Sequence, residues 1–211
     1  IALSADAWYE SLQETEAERR HLTSLHEDLA QTTSQLQGLQ RGRDRIEQSL
    51  LGLLEADLSD EPVDSVSAWI DTGLFRLVFF EPHVAAMRDL EASGEIGLLP
   101  PEVRLGVAEL EQQLAVFEGA MDDLRDAQVE HVDPYLVSRL PLAPLLASSD
   151  GLAIAERLPA TPDWSSLETV QARSLMAYKL SLLKVISTYG TGLATEIERL
   201  TLLVDARLNE L

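Results

Sequence analysis

The 211-residue chain has no cysteine. That excludes a disulfide framework, a thiolate nucleophile and a cysteine-ligated metal, and leaves the compartment open. No run of eighteen or more apolar residues occurs in the sequence, so nothing within it has the length to span a bilayer as a helix. Aromatic residues make up only 5% and β-branched runs are scarce, which disfavours a sheet and favours helices. Positive charge is also short: 16 basic residues face 36 acidic ones, for a formal net charge of -20. A surface this negative repels phosphate backbones and anionic headgroups, so a nucleic-acid partner is not expected. Lysine occurs only at Lys179 and Lys184, a bias toward arginine read as genomic base composition. There is no Gly-rich phosphate loop and no nucleophile elbow.

The rest of the composition is that of a folded globular protein, with 45% hydrophobic and 25% charged residues, and its length suits a single helical domain. From Leu22 the apolar positions follow a seven-residue repeat through Leu25, Leu29, Thr32, Leu36, Leu39, Arg43, Ile46, Leu50 and Leu53. One residue per turn on a single stripe predicts a long helix over 1–57, packed along its seam. Gly38, Gly42 and Gly52 weaken that helix, and a bend is expected between residues 38 and 42. Shorter helices are expected over 64–131. One, over 66–71, would be capped by Asp64 or Ser65 and end at Gly73. A second would have Pro82 in its first turn and Gly94 at its end, and Pro100 and Pro101 would open a third, reaching about His131. The apolar run 74–80 reads as a core-filling connector, because Pro82 follows and no partner strand is evident. Residues 132–163 hold five of the nine prolines and read as an irregular crossover, with helical turns at 135–139 and 152–157. A second long helix is expected over 164–211, capped at Asp163 with a capping box at Ser165 and Glu168, and with Ile186, Leu193, Ile197, Leu200, Val204 and Leu211 on its seam. Two long terminal helices with shorter ones between predict an all-α, elongated antiparallel bundle.

Few residues offer chemistry. His21 and His26 are five apart and fall on different faces of a helix, unlike an i, i+4 chelating pair. His83, His131 and Asp133 show no convergent spacing, so all are read as surface positions and no metal or cofactor is expected. Ser181 and Lys184 match a Ser-x-x-Lys pattern, but its partner motifs are missing, and two polar residues on a long helix explain it. Acidic neighbours such as Glu27–Asp28, Asp122–Asp123 and Glu196/Glu198 read as solvated helix faces, so no catalytic residue is assigned. Lys179 and Arg43 are different, because both fall on an apolar seam where an unpaired charge is expensive. One reading is an internal salt bridge, or snorkelling to the surface. The other is a small-anion site formed by Arg43, Arg173, Tyr178 and Lys179. Trp8 and Tyr9 likewise admit two readings. Trp8 starts the core by stacking on Leu12, or the pair anchors at a membrane–water interface, which the apolar stretch 1–7 favours.

Two phrases resemble a family of small bacterial single-pass membrane proteins with no assigned activity. The first is the opening IALSADAWYE, followed by Glu18-Arg19-Arg20-His21-Leu22 and Leu25-His26-Glu27-Asp28-Leu29. The second is Met87-Arg88-Asp89-Leu90-Glu91-Ala92-Ser93-Gly94 through Leu99, with Arg104-Leu105 after it. The resemblance covers the first third and the middle of the chain, and implies an upstream transmembrane anchor with the helical domain facing away from the cytoplasm. A start on Ile1 without methionine fits such an anchor. The expectation is therefore a non-enzymatic, membrane-tethered, periplasmic domain for protein interaction or self-association. A ligand-sensing bundle that binds a small anion is the alternative function, and a soluble cytoplasmic protein the alternative location.

Overall fold

The computed structural model describes residues 2–140 and 164–211. Among these the chain is all-α. The helices are α1 (Ala2–Glu55), α2 (Val63–Trp69), α3 (Ala85–Ser93), α4 (Pro101–Ala127), α5 (Asp133–Arg139) and α6 (Val170–Glu210). Two π-helical turns, Ile70–Phe75 and Gln128–Val132, and two 3-10 turns, Glu95–Leu98 and Ser165–Glu168, join them. The seam read from the sequence is the buried face of α1: Leu22, Leu25, Leu29, Thr32, Leu36, Leu39, Ile46, Leu50 and Leu53 are all 5% exposed or less. On α6, Ile186, Leu193, Ile197, Leu200 and Val204 are buried as the repeat requires, while Leu211, past the end of the helix, is only half-buried. Backbone contacts gather the chain into two compact units.

The first unit comprises Ile1–Gly38, Phe80–Glu118 and Thr188–Leu211. Here α1 and α6 run antiparallel, since Glu18 meets Arg207, His26 meets Asp205 and Leu36 lies by Gly190. The α4 helix is also antiparallel to α6. A Cβ on Gly106 would fall 2.8 Å from Leu200 Cδ1, and Phe117 reaches Gly190. Phe80 stacks edge-on against Phe117, with ring centroids 5.1 Å apart. Pro82 does not enter α3, which begins at Ala85. Its amino end is capped from another helix, where the Asp28 carboxylate on α1 accepts the Ala86 N–H at 2.7 Å. Asp28, buried beside the seam where a solvated face was expected, thus satisfies a donor that the local sequence leaves open. Gly94 ends α3 at φ 74°, the left-handed conformation read from the sequence.

The second unit comprises Leu39–Phe79 and Gly119–Ser187. Here Gly52 lets the Trp69 indole pack on α1, since a Cβ at that position would fall 2.9 Å from the ring. The helix expected over 66–71 instead occupies Val63–Trp69, follows Pro62, and carries no side-chain cap. It then widens into the first π turn. Residues 76–84 are irregular, as the connector reading requires. Val78 is buried and Phe79 is 77% exposed, so the run fills the core only in part. At the start of the last helix, Ser165 and Glu168 form a 3-10 turn and not a capping box. Thr169 is the working cap, its Oγ1 accepting the Ala172 N–H at 3.2 Å. The expected cap at Asp163 and the turn at 152–157 lie outside the described residues. The turn expected at 135–139 is part of α5.

Candidate functional site

Lys179 stands on the inward face of α6 at 1% exposure, among the most deeply buried side chains of the second unit. Its ammonium donates to Leu74 O at 3.0 Å, Arg76 O at 3.0 Å and Gln128 Oε1 at 2.7 Å. All three protons therefore have acceptors, and all three acceptors are neutral. Gln128 is itself 3% exposed, and its amide nitrogen donates to Leu74 O at 2.8 Å and to Asp133 Oδ1 at 2.5 Å. The order Lys179, Gln128, Asp133 forms a relay in which the only anion acts through an amide. An ammonium inside a protein loses several kcal/mol of hydration, and hydrogen bonds to a charged donor return about 1.5–3 kcal/mol each. Burial wins here, pushing the Lys179 ammonium down to about 8 against the pull of Asp133.

Both π turns serve this cluster. Leu74 lies in the first and Gln128 opens the second. Their sequence cause is a four-residue spacing of inward positions: Val66, Ile70 and Leu74, then Leu124, Gln128, Val132 and Leu136, all buried. On an α-helix each residue turns the chain about 100°, so two four-residue steps drift the face by about 80° and three by about 120°. A wider turn keeps these residues pointing inward, and π turns of this kind recur at functional sites.

Of the four residues of the anion-site reading, only Lys179 belongs to this cluster. Arg43 keeps its seam position but pairs with the adjacent Asp44 at 2.5 Å. Arg173 donates to Leu54 O at 2.7 Å, closing the carboxyl end of α1. Tyr178 is 45% exposed, and its ring lies 6.4 Å from that of His131. Lys179 alone is buried, with every proton already engaged. The salt-bridge reading needs correction too, because Lys179 is held by carbonyl and amide oxygens and not by a carboxylate. Nearby in the second unit is a cavity of about 10 Å³. Leu74, Val132, Leu136, Leu167 and Met176 line it together with Tyr135, and it is no larger than one water needs.

The remaining candidates have ordinary settings. His21 contacts Glu95 at 3.0 Å and His26 contacts Asp205 at 3.2 Å, so both join elements of the first unit where solvated positions were expected. Ser181 donates to the Tyr178 carbonyl at 2.7 Å. Among the described residues, no group of three or more His, Asp or Glu is arranged to hold a metal. Trp8 and Tyr9 are 65% and 60% exposed and Leu12 is 42% exposed, so Trp8 does not begin the core. Sequence reasoning found Lys179 from its heptad position and missed Gln128 altogether. The four-residue spacing through Leu124, Gln128, Val132 and Leu136 was the signal that could have found it. Comparison with protein-family models, curated proteins and solved structures returns no match.

Proposed function

We propose that the chain is a non-enzymatic helical domain for protein interaction or assembly, held at a membrane, with the beginning of α1 as its contact element. One observation carries this reading. The apolar seam of α1 is used internally from Leu22 onward, and the Glu18–Arg207 pair lies just before it. Ahead of that pair Trp8, Tyr9 and Leu12 stand in solvent. Large apolar and aromatic side chains left in water mark contact surfaces, and Trp and Tyr suit both protein interfaces and the headgroup layer of a bilayer. No helix among the described residues is long and apolar enough to cross a membrane, so the tether in this reading comes from interfacial contact or from sequence outside the chain.

The test pairs sedimentation velocity with flotation on zwitterionic vesicles, because the net charge of -20 repels anionic ones. The intact chain is expected to self-associate or to float. The double variant Trp8→Ala/Tyr9→Ala should lose that behaviour while keeping its helical circular dichroism. A chain that stays monomeric, ignores vesicles and is indifferent to the double variant removes the basis for this reading.

A further inference from the structure

We propose that Lys179 is a proton-linked clasp on residues 74–78, one that tightens when its side chain loses a proton. Residues 76–78 belong to no helix or strand. Lys179 Nζ reaches the carbonyls of Leu74 and Arg76, and Gln128 reaches that of Leu74 a second time. A single amine therefore ties the end of the first π turn and the start of the irregular segment to α6, while its amide partner opens the second π turn. Lifting the segment would give Nζ access to water. Hydration favours the ammonium far more than the neutral amine, so the protonated side chain favours opening. The neutral amine still holds two N–H groups for the carbonyls of Leu74 and Arg76, and gives up the bond to Gln128 Oε1.

The charged groups on the surrounding elements are few. Asp133 on α5 acts through Gln128 and favours the proton. On the first π turn Asp71 is exposed and tied at 2.9 Å to the exposed Arg76 side chain, which follows the turn. On the second, Glu130 and His131 are exposed. On α1, Arg43 is tied to Asp44. Desolvation brings the folded value to about 8 against an ordinary 10.5. A base whose folded value is depressed stabilises the closed form above 10.5, and that gain is lost as pH falls through about 8. The clasp thus tightens between those limits.

Two lysines in the chain make the experiment direct. Carbon-13 lysine labelling gives two side-chain signals, assigned with K184R, and the Lys179 signal is followed from pH 6 to 11. In parallel, hydrogen exchange by mass spectrometry reads peptides covering residues 70–80 at pH 7 and 9.5, corrected for intrinsic rates. The Lys179 signal is expected to titrate near 8. Protection of the segment should rise roughly tenfold or more in the wild type, and stay level in K179R, which is charged throughout, and in K179M. A Lys179 titration at 10.5 or above overturns the proposal. So does equal pH dependence in the wild type and K179R. The labelled wild type gives its answer even if a variant fails to fold.

Discussion

The two units are built from the same three long helices but are tied in opposite ways. The first holds 19 acidic and 6 basic residues, the second 17 and 10. In the first, the side-chain ties include charged pairs between α1, α4 and α6 beside the Asp28 cap on α3. Arg207 grips both carboxylate oxygens of Glu18 at 2.7 and 3.0 Å, and Arg199 bridges Glu109 and Glu196. In the second, a cation lies inside the core and is held by two backbone carbonyls and an amide. The exposed pair of Arg199 with Glu109 is screened by salt and contributes roughly 0–1 kcal/mol, whereas Glu18 in the other pair is largely buried. A buried amine held by neutral oxygens is insensitive to salt and sensitive to the loss of any one partner. The polar core of the second unit meets the acidic excess at one carboxylate, Asp133, and through an amide.

The sharpest way to break that contrast is Gln128→Leu. It leaves a buried ammonium short of an acceptor and Asp133 short of its amide donor, and should destabilise the second unit by about 3 kcal/mol. Lys179→Met removes the charge together with its desolvation penalty, so a smaller loss of about 1 kcal/mol is expected. Urea unfolding of both variants decides the order, and a larger loss for the lysine variant would mean that the cation is net stabilising.

In the first unit, Asp28→Ala removes the acceptor from the amino end of α3 and should cost about 1 kcal/mol. Exchange of the α3 amides should rise while those of residues 103–117 stay slow. Uniform loosening would show that Asp28 supports the whole unit and not only the cap. The smallest effect is expected at Glu111, whose carboxyl is raised by partial burial and by the facing Glu91. A raised acid favours the fold below its unfolded value, and that contribution is lost as pH climbs through the folded one. Glu111→Gln should therefore stabilise the protein at pH 7 by a few tenths of a kcal/mol and by nothing at pH 4. The reverse order in thermal melts at the two pH values would contradict the assignment.

The helical class, the α1 and α6 seams and the Gly94 terminus were legible because each rests on a periodicity or on a backbone conformation that few residues adopt. The cap of α3 was not, because its acceptor, Asp28, comes from a helix more than fifty residues away in sequence. Burial of Lys179 followed from its heptad position. Its partners did not, since backbone carbonyls carry no sequence signature and a lone glutamine at Gln128 looks like any solvated position. The four-residue spacing that forces the π turns was present in the sequence, yet it resembles a heptad seam until successive steps are counted together. Arg43 shows the limit of seam logic: a long side chain can sit at an apolar position and satisfy its charge one residue away.

The most direct test of this account is a double-mutant cycle between Lys179→Met and Gln128→Leu, measured by urea unfolding at pH 7. If the two side chains form one polar unit, the double variant should lose less than the sum of the single losses, with a coupling of about 1 kcal/mol or more. Additive losses would contradict it, because Lys179 and Gln128 would then be two independent buried polar groups and the two π turns would have no shared purpose.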